Sequence, residues 1–377
     1  MSPQTRQSAE NWWRKSRKKS VGSDTTPSHE SQYHIFLQSQ WETPARTSSG
    51  YDQQPQAAGH AVYHEFTKDQ ALEIQDRYIH SVTTQADNTH VIITINPDLA
   101  ALTLEARWIM VDTTFAVVHG KTNEWKLVIW LSSIEKRIDI GRVWSNRATR
   151  GAFVMVWNGI FTTIETITGK KLNFQVFSSK SNLLGAIGDS EGAQAQGLGD
   201  VIILRQMNLN AGVGLDVDSI LMLIWKTCIV LQPAFSENDL AYLIGFPYLM
   251  SDDEIEGYYT FCAESSTRQV QNWWEHKLNY PWLLPSLNRH LSCMSNRHWD
   301  LTPSDTNPIE GSHAQDNQVN DTSRSLLEAI LLARKSDSET ARIIAATRAS
   351  GVLENGNNSL RTRFSSKSQQ DARAREK

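Results

Sequence analysis

Cysteine and long apolar runs are both scarce in this chain of 377 residues. The three cysteines, Cys228, Cys262 and Cys293, lie far apart, which excludes a disulfide framework and a Cys-x-x-Cys zinc ribbon. No apolar run reaches the roughly eighteen residues of a membrane span, and residues 1–20 lack the apolar stretch of a secretory signal. The sequence therefore predicts an intracellular protein of a reducing compartment, with no membrane partner.

Charge is distributed unevenly along the chain. The formal net charge is −4, but residues 1–20 hold six Lys/Arg against one acid and residues 342–377 hold eight against three, which is +5 at each end and −14 between them. Basic ends can contact phosphates or act as import signals, whereas an acidic middle repels DNA unless metal ions or local basic patches intervene. Composition alone does not decide between a nucleic-acid partner and another one.

Residues 1–60 are rich in Ser, Gln, Thr, Pro and charge, which predicts a disordered basic N-terminal tail. The basic run at 14–19 predicts a nuclear import signal and hence a nuclear location. A solvated charged tail that is not a targeting signal explains so short a run equally well.

Hydrophobic periodicity predicts alternating helices and strands after this tail. The first elements are a helix over 65–83, a strand over 90–95 and a helical stretch over 98–106. The predicted central elements are strands at 107–112, 126–132 and 139–145, a helix at 151–168, strands at 172–177 and 183–189, and a helix at 191–207. The apolar run 220–231 suits a strand or a helix, and helices are predicted over 236–300 and within 305–350.

The order of these elements is that of a ribonuclease H-like fold, in which a mixed sheet is flanked by helices. The predicted division is a tail over 1–60, a lead-in of helix and strand over 61–106, and the first part of the core over 107–235. A helical insertion over 236–300 then precedes the last catalytic helix over 301–335, and 336–377 form a C-terminal helix and a disordered basic tail.

Three acids occupy positions that this fold brings together. Asp112 closes the strand RWIMVD, Asp189 closes LLGAIGD, and Glu310 lies in SDTNPIEGSHA. Clustered carboxylates raise one another's pKa, and divalent cations resolve that conflict because hard oxygens suit Mg²⁺ or Mn²⁺. Two such ions can serve an in-line phosphoryl transfer. Each acid taken singly is more simply explained as a strand-end or cap residue on the surface.

The blocks VDTTFAVVHGKTNEW, AIGDSEGAQAQGLGDVI and TPSDTNPIEGSHA resemble the Mutator-like DDE transposase domain found in many fungal genomes. The similarity is strongest over about 107–205 and about 245–353. In that family the acids of the matching blocks form the catalytic, metal-binding triad, so the resemblance implies this role for Asp112, Asp189 and Glu310. It also implies Mg²⁺ or Mn²⁺ as cofactor, double-stranded DNA (transposon ends and target) as partner, and allows a homo-oligomer.

Two departures from the family pattern accompany this resemblance. The family usually has a Cys-x-x-His element after the second acid, whereas the matching stretch here is Cys228-Ile229-Val230-Leu231 and lacks the histidine. The sequence also has no N-terminal Cys/His-rich zinc module, which active relatives use to recognise transposon ends.

Several further residues are candidates for nucleic-acid contact. His313 follows Glu310 by three residues, and Arg142, Arg147 and Arg150 lie near a strand-to-helix corner where they can touch phosphates. A surface histidine and solvated arginines explain the same residues. The tryptophans of 273–299 can stack on bases, or form the core of a helical insertion.

Three functions fit the sequence. The first is a DNA transposase, or the inactive remnant of one. The second is a non-catalytic DNA- or protein-binding derivative of a transposase, which the missing histidine, the missing zinc module and the acidic middle favour. The third is a metal nuclease that acts on RNA or RNA–DNA hybrids, because the same carboxylate geometry serves that chemistry.

Overall fold

The computed structural model describes residues 57–114, 118, 120, 122–131, 133, 134, 136–188, 192–207, 215–227, 236–302 and 324–351; it leaves out the side chains at 57–60, 112–114, 136, 206, 207 and 237. These residues form an α/β structure in which seven strands make one mixed sheet flanked by helices. The α/β class and the mixed, helix-flanked sheet that the sequence predicts are confirmed.

The sheet joins an antiparallel half to a parallel half. Its strands are β1 (Ile79–Thr84), β2 (His90–Ile95), β3 (Trp108–Thr114), β4 (Asn123–Leu131), β5 (Lys136–Ser145), β6 (Gly185–Gly188) and β7 (Trp225–Thr227). Their order across the sheet is β1-β2-β5-β4-β3-β6-β7. The pairs from β1 to β3 are antiparallel, whereas β3 pairs parallel with β6, and β6 with β7. The third strand therefore lies at the boundary between the two halves.

Helices provide the crossovers that parallel strands require. They are α1 (Ala57–Gln70), α2 (Pro97–Leu102), α3 (Arg150–Thr168), α4 (Gly192–Met207), α5 (Val217–Ile224), α6 (Glu237–Ile244), α7 (Asp252–Glu264), α8 (Arg268–Leu278), α9 (Leu283–Leu287), α10 (Asn296–Leu301) and α11 (Leu326–Ser350). Short 3₁₀ turns span Ile74–Asp76 and Phe246–Tyr248. None of the described helices is both long and apolar enough to cross a membrane.

The helix α3 forms where its sequence has start and stop signals. Thr149 caps it by accepting a hydrogen bond from the N–H of Ala152, and Gly169 ends it in the left-handed region at φ 66°. Its apolar face, which includes Phe153 and Trp157, is buried in the main core between this helix and the sheet. Burying each large apolar side chain contributes about 1.5–3 kcal/mol, so this face stabilises the layer strongly.

A second core covers the opposite face of the antiparallel half. There α11 packs against α1 and β5, with Ile330 and Trp144 buried between them. The N-terminus of α11 carries a capping box, in which Ser325 and Glu328 bond each other's main-chain N–H groups. The long final helix is thereby held over the sheet.

The helices that follow β7 have a core of their own. Phe246, Tyr258 and Trp274 are buried in a cluster formed by α6 to α9 and the turn that joins them. Trp282 is fully buried in the main core, and Trp299 is 8% exposed. The interpretation of these tryptophans as core residues is confirmed for Trp274, Trp282 and Trp299, and the predicted helical character of 236–300 is confirmed too.

Two predicted elements are wrong. The helix predicted over 65–83 ends at Gln70, and the residues after the 3₁₀ turn form β1, because the β-branched run Val82-Thr83-Thr84 pairs with β2. The strand predicted over 172–177 is only a bridge between Phe174 and Leu183. The run 220–231, for which the sequence allows a strand or a helix, contains both in its described part: α5 ends at Ile224 and β7 begins at Trp225.

Candidate active site

The first predicted acid, Asp112, lies near the carboxyl end of β3. Met110 of the same strand pairs with Ile187 of the parallel strand β6, and the register partner of Asp112 on β4 is Lys126. In the sequence Asp112 comes two residues after Met110, and Asp189 comes two residues after Ile187. The backbone of Asp112 is described, whereas its side chain and the whole of Asp189 are outside the described part of the chain.

Gln194 ties the first turn of α4 to the end of β3. Its side-chain amide donates a hydrogen bond of 2.8 Å to the carbonyl oxygen of Val111, and the indole N–H of Trp157 donates to the main-chain carbonyl of Gln194 at 3.1 Å. Gln194 and Val111 are each 2% exposed, so water cannot readily replace this hydrogen bond. The residue before Asp112 is thereby fixed to the helix that begins three residues after Asp189.

Two glycines of the block AIGDSEG lie tightly against aromatic rings. A Cβ added at Gly188 would come within 2.4 Å of the ring of Trp225, and one added at Gly192 within 2.4 Å of the ring of Tyr280. Only glycine fits these positions without displacing a ring. Gly188 therefore packs against β7, and Gly192 packs against the chain that follows α8.

Lys226 fixes the chain that leaves α10. Its ammonium donates to the carbonyl oxygens of Trp299 at 3.1 Å and Thr302 at 2.6 Å, and lies 4.5 Å from the centre of the Trp299 ring. Lys226 is 5% exposed, so these contacts replace water around a buried cation. Residue 302 is thus held beside β7.

The segment 303–323 carries Glu310 and His313, and both predictions lie outside the described residues. Its described neighbours are nevertheless tied to the sheet. Lys226 of β7 binds Thr302, and Arg324 forms a parallel bridge with Val118, four residues after the end of β3. Thr302 therefore lies beside β7, and Arg324 lies beside the chain that follows β3.

Lys126 is a fully buried cation in β4, next to the strand of Asp112. Its register partners are Asp112 on one side and Arg142 of β5 on the other. Two cations directly opposite each other in a sheet repel, so the arrangement depends on nearby carboxylates. For Arg142 these are Glu124, at 2.8 Å, and Asp337 of α11.

The prediction that Arg142 is a phosphate contact or a solvated surface residue is wrong. Arg142 is 4% exposed, and its guanidinium forms ion pairs with two carboxylates. Burial opposes its charge, but Asp337, Tyr78 and Glu124 hold the pKa of Arg142 well above its ordinary value. It links β4, β5 and α11 instead of facing a ligand.

The other two arginines differ from each other. Arg150 makes two hydrogen bonds of 2.7 Å to Asp200, an acid in the middle of α4. Arg147 is exposed and donates to the carbonyl oxygen of Asp87 at 3.2 Å. Arg150 is therefore committed to joining α3 and α4, whereas the guanidinium of Arg147 faces solvent.

The metal site stays a prediction. Among the side chains that the structure describes, no group of three His, Cys, Asp or Glu residues could hold an ion. The side chain of Asp112 and all of Asp189, Glu310 and Cys228 are not among them.

Sequence reasoning misses three residues of this region. Gln194, Lys126 and Lys226 are buried and lie close to the ends of β3, β6 and β7. A signal exists for the lysines, because each interrupts an apolar run, EWKLVIWL and ILMLIWKT. For Gln194 the signal is its place in the block EGAQ, two residues into α4.

Comparison of the chain with protein-family models, with curated proteins and with solved structures finds no match. The resemblance to the Mutator-like transposase domain therefore depends on the quoted sequence blocks, and the fold on the strand order described above.

Proposed function

We propose that the chain is a ribonuclease H-like DDE transposase of the Mutator-like type, or a descendant of one, that cleaves DNA with divalent metal ions. The sheet order supports this proposal. Five strands run β5-β4-β3-β6-β7, with the first three antiparallel, the last two parallel to β3, and helices between β5 and β6 and between β6 and β7. This order is compatible with a ribonuclease H-like core, to which β1, β2 and α1 would be an N-terminal extension.

One observation carries the proposal for the site, namely the parallel register of β3 and β6. Because Met110 pairs with Ile187, two acids that each follow two residues later come at the same edge of the sheet if both strands continue in register. In open α/β sheets the carboxyl ends of parallel strands are where ligand and catalytic sites are built. We assign Asp112 and Asp189 to such a site.

For the third acid, the support comes from the two ends of its segment. Lys226 and Thr302 hold the start of 303–323 at β7, and Arg324 and Val118 hold its end at the chain following β3. The end at Val118 follows the carboxyl end of β3, the strand that carries Asp112. Together with the resemblance of TPSDTNPIEGSHA to the block that carries the third acid of the triad, this supports our assignment of Glu310 to the same site as the other two acids.

The proposed donor set fits Mg²⁺ or Mn²⁺, since three carboxylates provide hard oxygen ligands. When bound, such ions stabilise charge on the attacking and leaving oxygens of a phosphodiester. The chain's own residues orient the site: Asp112, Asp189 and Glu310 would hold the ions, and Gln194 fixes the main chain next to Asp112. Lys226 fixes the chain that leads to Glu310.

The test is cleavage of supercoiled plasmid DNA by the purified full chain with Mg²⁺ or Mn²⁺. We expect nicking by the wild type that falls below detection in Asp112→Asn and Glu310→Gln, because each loses a metal ligand. Asp253→Asn, an exposed acid of α7, is the matched control and should nick like the wild type. An RNA–DNA hybrid in the same assay identifies the ribonuclease alternative. Equal nicking by all four proteins would exclude the proposed site.

A non-catalytic DNA-binding derivative is the second candidate, and Lys126 favours it. A fully buried ammonium in register with Asp112 can balance carboxylate charge without a metal ion. This candidate predicts that the wild type binds DNA but nicks none of the substrates, and that Asp112→Asn and Glu310→Gln retain the same DNA affinity.

A further inference from the structure

A polar cleft lies at the edge of the sheet opposite Asp112. It encloses about 300 Å³ and is lined by Arg107, Gln175, Asn182 and Arg297, with Glu105 also in its wall. Arg107 directly precedes β3, so the cleft is at the amino end of that strand, whereas Asp112 lies near its carboxyl end. The two regions are therefore separate in the fold.

Positive charge in this cleft is not neutralised by the described residues. None of the described ion pairs includes Arg107 or Arg297. Glu105, in contrast, is paired with Arg348 of α11 at 2.8 Å. Two exposed arginines therefore line one small cavity, and the carboxylate beside them already has a partner.

The walls of the cleft are held by main-chain hydrogen bonds. The N–H of Leu184 donates to the carbonyl oxygen of Arg107, and the N–H of Gln175 donates to that of Leu183 at 2.6 Å. The side-chain amide of Asn182 donates to the carbonyl oxygen of Leu104. Two of these contacts fix the turn before β3 to the chain before β6, and the third fixes Gln175 to the same chain, so the main chain that carries Arg107, Gln175 and Asn182 is held in place.

We propose that this cleft binds a phosphate group, held between Arg107 and Arg297. The planar guanidinium presents parallel N–H donors that match phosphate oxygens, and two guanidiniums match the charge of a phosphate. The volume is at the lower limit for ligand sites, and the lining is mainly polar, which suits a phosphate better than an apolar molecule. The phosphate belongs either to a nucleic-acid backbone or to a free nucleotide. This inference does not depend on the carboxylate site.

The probes are inorganic phosphate and thymidine 5′-monophosphate, titrated into the full chain and followed by ³¹P NMR, and a short duplex DNA of mixed sequence, followed by fluorescence anisotropy. The test variant is Arg107→Gln/Arg297→Gln. The matched control is Arg268→Gln/Arg342→Gln, which removes the same charge from exposed arginines of α8 and α11. Urea unfolding of each variant checks that the fold is retained.

We expect the test variant to bind phosphate and the nucleotide at least tenfold more weakly than the wild type, and the control to bind within twofold of it. If the phosphate is that of DNA, the test variant also lowers the slope of log K against log salt concentration by about 1–2. If it is that of a free nucleotide, the test variant has the same DNA affinity and the same salt slope as the control.

Equal phosphate and nucleotide binding by the two double variants, or no binding by the wild type, would overturn the proposal. Asp112→Asn should bind the nucleotide like the wild type, so that failure of the carboxylate site and failure of the cleft can be told apart.

Discussion

Arg142 of β5 and Asp337 of α11 form a buried ion pair between positions 195 residues apart in the sequence. Glu124 of β4 binds the same guanidinium at 2.8 Å, and the hydroxyl of Tyr78 donates to Asp337 at 2.7 Å. Two strands and the final helix thus meet at one cation. Removing that cation would take away the guanidinium that both buried carboxylates bind.

We therefore expect Arg142→Met to lower the free energy of unfolding by about 3–5 kcal/mol, as measured by urea denaturation at neutral pH. Arg342→Met is the control, because its pair with Glu339 is on the surface and 70% of the Arg342 side chain is exposed. That change should cost less than about 1 kcal/mol. Similar costs for the two variants would show that the buried pair is not important for stability.

The hydrogen bond from Gln194 to Val111 gives a second prediction. Gln194→Leu keeps the approximate size of the side chain but leaves the carbonyl oxygen of Val111 without this donor, so we expect a loss of about 1–3 kcal/mol in urea unfolding. Amide hydrogen exchange should accelerate at the end of β3 and the start of α4. Gln271→Leu, which removes a partly buried hydrogen bond to Ser265 in the insertion, should leave exchange in β3 unchanged.

The contact of α3 with α4 gives a third prediction. A Cβ at Gly197 would come within 2.5 Å of the Cβ of Phe153 and 3.1 Å of the main-chain nitrogen of Val154. Main-chain atoms cannot move aside easily, so Gly197→Ala should destabilise the protein by about 1–3 kcal/mol. In Gly257→Ala, on the exposed face of α7, the added methyl meets nothing within 4 Å, and the higher helix propensity of alanine should stabilise by up to about 1 kcal/mol. Opposite signs in thermal unfolding are the expected result, and a stabilising Gly197→Ala would contradict the close packing.

Two partly buried histidines give the protein a dependence on pH. Burial lowers the pKa of His80, whose ring nitrogen Nε2 donates to the carbonyl oxygen of Ile95 at 2.9 Å, and it lowers the pKa of His90. The unfolded chain then binds protons more readily than the folded one below about pH 6.5. Stability is thus fully present above that pH and is lost as the pH falls towards the lowered pKa values.

The measurement is urea unfolding at several pH values between 7.5 and 5. We expect the wild type to lose stability over this interval, and His80→Gln/His90→Gln to lose less of it. An identical decline in the two proteins would rule out these histidines as its cause.

The sequence predicts elements well where the signals are local. The helix Arg150–Thr168 has its cap at Thr149, its stop at Gly169 and an apolar face at helical spacing, and its observed start differs from the prediction by one residue. The strands β2, β4 and β5 are found where β-branched and apolar runs lie between turn residues. The strand β1 was missed because its pairing with β2 outweighs the helical spacing of the residues before it.

The candidate site is predictable only in part. That Asp112 lies in a central strand follows from the run RWIMVD, since the periodicity of a strand is a property of adjacent residues, although the strand continues to Thr114 and does not end at Asp112 as predicted. That the neighbouring positions on β4 and β5 are the buried cations Lys126 and Arg142 does not follow, because an isolated strand gives no sign of what packs on each face.

By itself, the sequence determined most of the strands and helices, the ends of the best-capped helices and the place of Asp112 in a strand, because these depend on residues a few positions apart. Only the tertiary structure decided that Arg142 is buried, that Gln194 holds the end of β3, and that Arg107 and Arg297 border one cleft. Each of those facts depends on residues far apart in the chain. Whether a charged or polar side chain meets water or a partner is decided when distant elements pack together.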